Sequence, residues 1–469
     1  MSPNTVFPLD ERPRNPITER VLVHPRVTFD VEKDAFVVAI RDELLVRASA
    51  RTGALEKALG AVARLAGSLG GRRDGGLGED IEIWRLNDPN GNSIDEARRL
   101  RVLARDEPVK TRRGPEVVVP AVSPNHVCCV ANKYDLCPAS PPHPSPPPHR
   151  GEGFIPPPGQ GHRGKVVVID TGYIVTDPPH AALDARVTSV LGEWFDTSTI
   201  PGTWRANPPD ALDTTGDGRL DGVAGHGTFV AGLVAHGCPD ARITVVGQRH
   251  DVMPASVEPG PSEQGMLFST EFDVANAVLT NCDADVVSCG FAFPTLDAYA
   301  SSPFTSVMQV LTGPDAPRPG VAVVSPAGNE GVARPYWPAA HPDVVGVAAT
   351  NRPGNARAQF SNWGKWADCC ARGEDVVSTF IYWLGPIEGE PLSDIEHFVG
   401  WARWDGTSFA TPKVSAAIAT LVAGSGGTLQ PVDAAGRLLA GTGGVAVTPL
   451  TDMTLVPFPG VTLPHLHLG

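Results

Sequence analysis

Short apolar runs, rather than long ones, pattern this chain. Residues 36–40 (FVVAI) are apolar and β-branched, which predicts a strand, and residues 81–86 (IEIWRL) alternate apolar with polar, the period of a half-buried strand. Between them Leu55, Leu59, Val62, Leu65 and Leu69 recur at spacings near three and four, predicting one helix over 52–69. NDPNG at 87–91 is a turn. Ser93, with Glu96 three residues on, reads as a capping box that opens a second helix running to about residue 105. A last strand is expected at 116–122 (EVVVPAV). These elements predict a small α+β unit over 20–127, preceded by a leader over 1–19.

From residue 165 the pattern changes. Residues 165–169 (KVVVI), 243–246 (ITVV), 284–287 (ADVV) and 321–324 (VAVV) are apolar almost throughout, as strands covered on both faces are. Helical stretches fall between them at 226–237 and 271–281. This is α/β, a mainly parallel sheet with helices on both faces, over 165–445, with 446–469 as a tail. Ligands in such folds bind beyond the carboxyl ends of the strands, so the polar residues that end these runs are the candidates for chemistry. Between the two units, residues 138–158 hold ten prolines in 21 positions, so 128–164 is expected to be an extended, semi-rigid linker.

Composition narrows the function classes. Gly 50 and Pro 47 in 469 residues rule out a protein made mainly of long helices. A net charge of −14 argues against nucleic acid or an anionic membrane as partner. No run of 18 apolar residues exists, so no membrane-spanning helix is expected. The N-terminus has no basic stretch followed by an apolar one, which reads as cytoplasmic, with export by another route or a misplaced start left open. The eight cysteines contain no C-x-x-C and read as small buried hydrophobes kept reduced.

Four segments carry chemistry. VVVIDTG (166–172) puts Asp170 at the end of a strand, and GHGTFVAG (225–232) puts His226 at the start of a helix. GTSFATP (406–412) puts Ser408 ahead of a nearly all-apolar helix at 414–423, and VSPAGNEG (324–331) puts Asn329 just past a strand. A serine hydroxyl is a weak nucleophile and needs an imidazole to take its proton. The imidazole needs a carboxylate to fix its tautomer, and the acyl-transfer intermediate needs donors aimed at its oxyanion. Asp170, His226 and Ser408 supply the first three, while the Asn329 amide and the Ser408 N–H supply the donors. The chain order Asp, His, Ser is one of three unrelated orders in which this triad occurs.

These four segments resemble the Asp, His, oxyanion-Asn and Ser motifs of the subtilisin-like serine proteases (subtilases, the S8 peptidases), over roughly residues 164–443. The resemblance implies a serine endopeptidase that cleaves proteins or peptides through an acyl-enzyme, with no required cofactor. Phe229 stands where the family has a second His, Phe409 where Met is usual, and Lys413 where His is common. The α+β unit is similar to a subtilase prodomain, which implies a self-inhibited zymogen whose own N-terminal segment is an intramolecular inhibitor. Residues 119–129 would then lie in the cleft as an extended strand. Substrate is expected along Ser288, Gly290, Phe291, Ser325, Ala327 and Gly328, with Phe291 offering an apolar surface to the residue before the cut.

Asp213–Asp221 (DTTGDGRLD) has the spacing of an EF-hand-like loop, but Ala224 replaces the bidentate Glu. An acidic turn is the first reading there and a structural calcium the second. His465 and His467 are expected in a solvated tail rather than in a metal site. Two alternatives remain open. An aspartic protease would need a second strand ending in D-T/S-G, which is not found. A binding module on a subtilase scaffold would carry a broken triad.

Overall fold

The computed structural model describes residues 26–32, 35–69, 80–129, 142–149, 151–157, 164–207, 209–210, 212–213, 218–248, 268–312, 320–387, 392–441, 453–458, 461–466 and 468. The expected leader at 1–19 lies outside them. The N-terminal unit runs β1 (Val27–Glu32), β2 (Ala35–Arg47), α1 (Gly53–Val62), β3 (Ala63–Ser68), β4 (Ile81–Leu86), α2 (Ser93–Arg101), β5 (Glu107–Val109), β6 (Val117–Val119) and β7 (Val122–Cys129). The two-residue β8 (His143–Pro144) follows. The C-terminal unit begins with β9 (Lys165–Asp170), α3 (Ala181–Asp184), β10 (Val187–Leu191), β11 (Glu193–Asp196), β12 (Thr203–Ala206) and α4 (His226–Gly237). It continues with β13 (Arg242–Gly247), β14 (Phe268–Thr270), α5 (Glu271–Thr280), β15 (Val286–Cys289), α6 (Ser302–Leu311), β16 (Ala322–Pro326), β17 (Val345–Thr350) and β18 (Cys369–Arg372). Last come β19 (Val376–Gly385), β20 (Glu396–Trp404), α7 (Thr407–Gly424), α8 (Pro431–Leu439), β21 (Met453–Phe458) and β22 (Val461–Leu466). None of the helices among the described residues is long and apolar enough to cross a membrane.

The C-terminal unit is α/β. Its sheet has the order β10-β13-β9-β15-β16-β17-β18-β22-β21, parallel except for the last pair. Side chains alternate across a strand, and here each face has its own core. Val166, Val168, Ile243, Val245, Val324 and Val347 pack with α4, α7 and α8. Val167, Ile169, Val246, Val287 and Val323 point the other way, onto α5 and α6. Burial on both faces is why these strands read as unbroken apolar runs. The chain leaves β9 for one side of the sheet and crosses to β15 on the other, so the order reverses at β9. The carboxyl ends of β9 and β15 therefore flank the crevice where such sheets bind ligands.

The N-terminal unit is an antiparallel sheet with α1 and α2 packed on one side. Its other side meets α5 and α6, where Leu45, Ile83, Val109 and Val119 join the core that contains Phe272, Phe304 and Leu311. β14, from the C-terminal unit, adds to its edge antiparallel to β7, pairing Phe268 with Cys129 and Thr270 with Val127.

Several local expectations need correction. The helix expected over 52–69 stops at Val62, because residues 63–68 pair with β4 instead, and Leu65 ends up exposed. The second helix is capped by Asn92, whose Oδ1 accepts from Ile94 and Asp95 N–H, and it ends at Arg101. Ser93 is its first residue and donates to the Ile40 carbonyl at 2.7 Å. The last strand is broken at Pro120 into β6 and β7. The solvated tail is replaced by β22, which extends the parallel sheet at β18 and buries His465. His467 lies outside the described residues. Residues 142–149 do not hang free as a linker: β8 pairs with β20, and Ser145 is buried.

Candidate active site

Asp170 ends β9, and His226 opens α4. His226 Nδ1 donates to Asp170 Oδ1 at 2.7 Å, and the same oxygen accepts from the Thr171 N–H at 2.7 Å. A carboxylate can only accept, so this bond fixes the Nδ1–H tautomer and leaves Nε2 as the basic nitrogen. Gly290, just past β15, lets Asp170 sit this close to the neighbouring strand: a Cβ there would lie 1.9 Å from Asp170 Oδ2.

Ser408 is the second residue of α7, and its hydroxyl is 3.4 Å from the Gly290 carbonyl oxygen. The Phe409 ring, next in sequence, lies 5.2 Å from the His226 ring, and Trp404 meets that imidazole edge-on at 5.6 Å. Two of the motif departures pack together: Phe229 and Phe409 lie 4.6 Å apart and both contact Trp404. Aromatic pairs at such distances favour edge-to-face and tilted geometry. Asp170, His226 and Ser408 are all sealed from solvent.

Asn329 follows β16. Its Oδ1 accepts from both the N–H and the hydroxyl of Thr407, each at 2.9 Å. With the carbonyl end so held, the amide nitrogen must face the other way. That nitrogen is buried and has no hydrogen-bond partner among the described residues. An orphaned buried donor costs free energy unless something charged or polar uses it. The loop itself is tied by Asn362, whose N–H donates to Gly328 O (2.9 Å), whose Oδ1 accepts from Glu330 and Val332 N–H (3.0 and 3.1 Å), and whose amide donates to Glu330 Oε2 (2.8 Å).

The structure brings Asp170 and His226 into contact and sets Thr407, the residue before Ser408, on Asn329. The six expected substrate-wall residues lie in buried segments beside this centre. Ser288 Oγ accepts from Ser415 on α7 at 2.9 Å, and the Ser325 hydroxyl is 3.4 Å from the Phe291 carbonyl. Ala327 is buried, and Gly328 takes a positive φ of 97°. Phe291 is in the core against Phe304, so it is not an apolar surface for substrate. Sequence reasoning missed Trp404 and Asn362, which lie outside all four motifs. The Asp213–Asp221 loop falls partly on residues 214–217, outside the described residues; Asp213 Oδ2 accepts from Gly218 N–H at 2.8 Å.

The subtilase family model matches residues 161–442. Curated relatives include alkaline protease 1 of Aspergillus clavatus, 29% identical over 231 residues (49% of this chain and 50% of that protein). A thermophilic serine proteinase of a Bacillus species is 28% identical over 285 residues (60% of this chain and 58% of that protein). The chain thus spans between half and three-fifths of these relatives' length. Among solved structures, a cold-adapted subtilisin-like serine proteinase aligns over 65% of this chain and 88% of its own, with 21% identity and a TM-score of 0.40.

Proposed function

The chain belongs to the subtilase family, and from that premise we propose that it is a serine endopeptidase with Asp170, His226 and Ser408 as its triad. One observation carries the reading: the buried 2.7 Å bond from His226 Nδ1 to Asp170 Oδ1 at the switch point of the sheet. Asp170 orients the ring and stabilises the imidazolium. His226 Nε2 takes the Ser408 proton as the hydroxyl attacks the peptide carbonyl, then returns it to the leaving amine. A water, activated by the same nitrogen, hydrolyses the acyl-enzyme. The Asn329 amide and the Ser408 N–H, at the positive end of α7, receive the oxyanion. No cofactor enters these steps.

The N-terminal unit is the intramolecular inhibitor of this zymogen. Two observations support that: the N-terminal sheet shares a core with α5 and α6, and β14 of the C-terminal unit adds to its edge at β7. Residues 122–129 are thus a strand inside that sheet and not, as expected, an extended strand in the cleft. The substrates are proteins or peptides.

The test is labelling by a fluorophosphonate, together with hydrolysis of a chromogenic peptide, on protein that has matured and released its N-terminal unit. Wild type should do both, and Ser408→Ala neither. Equal hydrolysis by the two would sink the mechanism.

A further inference from the structure

The Pro-rich segment that the sequence suggests is a linker carries Glu152, and Glu152 reaches into the body of the C-terminal unit. Its two oxygens pair with Lys413 Nζ at 3.0 Å and with Arg372 Nη1 at 2.8 Å. Lys413 is the unexplained departure of the Ser motif. It sits on α7 five residues after Ser408, about 7.5 Å down the helix axis, and it is buried. A buried ammonium is tolerated only when paired. Arg372 adds a second cation beside it, and Asp375, the nearby acid of the same network, is already engaged by Arg352 (2.8 Å) and Arg403 (2.7 Å). Among the described residues Glu152 is the carboxylate hydrogen-bonded to Lys413.

The rest of the segment is fixed as well. His143 and Pro144 pair with Arg403 and Ala402 of β20, and Ser145 N–H donates to Trp401 O at 3.2 Å. β20 is the strand that delivers Trp404 onto His226. Gly153, at φ +79°, packs so closely on β19 that a Cβ would lie 2.9 Å from Val377 Cγ1. Phe154 O accepts from His236 Nδ1 at 2.5 Å, and Pro156 O accepts from Arg186.

We propose that residues 142–149 and 151–157 are a strap belonging to the C-terminal unit, and that Glu152 is a positioning residue that balances Lys413 and so holds the Ser408 helix in place. Any active form that has lost the N-terminal unit therefore keeps the strap, and its first residue lies at or before Pro142. The consequence for rate rests on the serine-protease reading; the consequence for stability does not.

The experiment uses the full chain as wild type, Glu152→Gln, Lys413→Met and the double variant. Each is measured for its fluorophosphonate labelling rate, for kcat and KM on one peptide substrate, and for its thermal midpoint. Glu152→Gln leaves Lys413 without its carboxylate and should slow labelling and kcat about tenfold, with KM little changed and a lowered midpoint, the size of coupling expected between contacting residues. The double variant removes both charges and should recover most of the rate and the midpoint. If Glu152→Gln does not fold, recovery in the double variant carries the same information. Additive losses in the double variant, or an unchanged Glu152→Gln, would overturn the proposal. So would a labelled, fully active species whose N-terminus, read by mass spectrometry, lies beyond residue 157. If wild type still does not label once its N-terminal unit is released while the midpoints follow the predicted pattern, the protease reading fails and the strap stands.

Discussion

The two faces of the parallel sheet are covered in different ways. On the α4 and α7 face the cover comes from the same unit, and around the site it is aromatic: Phe229, Phe380, Trp404 and Phe409 interlock about His226. On the α5 and α6 face the cover is the N-terminal sheet. Its apolar contacts are accompanied by buried polar networks that cross between the two units. His126 Nδ1 bonds Glu271, its Nε2 accepts from Leu296 N–H at 2.9 Å, and the second Glu271 oxygen accepts from the Ser301 hydroxyl at 2.6 Å. Glu43 accepts from Thr197 at 2.6 Å and from Asn125 at 2.8 Å, and burial raises its pKa. The buried face of a cover made of polar pairs can be rehydrated when it leaves; an aromatic one exposes only oil. The α5 and α6 face therefore suits a separable cover and the α4 and α7 face a permanent body.

That contrast yields ordered predictions. Ser408→Ala should cost on the order of 10⁵-fold or more in kcat, with the thermal midpoint held. A midpoint that falls with the rate would mean that Ser408 is structural. Asn329→Ala should cost ~10²–10³-fold in kcat through loss of one oxyanion donor, with KM little altered; steady-state kinetics on one peptide decides this. Neither change should loosen the N-terminal unit.

The docked face is probed by Glu271→Ala, which strands His126 and the Ser301 hydroxyl. We expect a loss of about 1–3 kcal/mol, seen as faster hydrogen exchange in β7 while α4 and α7 keep their protection. Equal acceleration in both would erase the distinction between the faces. The most gradual effect is a pH slope. His341 is pushed down to about 3 by burial, with Arg113 of the docked unit adding to it. It stays neutral in the folded protein while the unfolded chain protonates near 6.5. Stability therefore falls as pH drops from 6.5 toward 3, by at most about 1.4 kcal/mol per pH unit for this group. His341→Asn keeps an acceptor for the Asp343 N–H, which His341 Nδ1 now receives at 3.1 Å, and should flatten that slope in urea titrations.

Local pattern carried much of this. Residues 81–86 form β4, and the helix read at 226–237 has those bounds. Residues 165–169 lie in β9 because a strand buried on both faces leaves an unambiguous apolar run. The three-four spacing across 52–69 misled, because the same leucines serve a helix as far as Val62 and a paired strand after it. Hydrogen bonds to β4, which lies more than a dozen residues on, made that choice.

By itself the sequence determined the fold class and the identity of the residues at the strand ends and helix starts, since both follow from periods of two and 3.6 and from short motifs. Only the tertiary structure decided what those residues touch. It set the Asn329 carbonyl on Thr407 and so aimed its amide elsewhere, sent Phe291 into the core, and brought Glu152 of the proline tract to Lys413, 261 positions later. The reason is physical. Charge balance and hydrogen-bond satisfaction in a buried site depend on which distant groups arrive together, and no local period encodes that meeting.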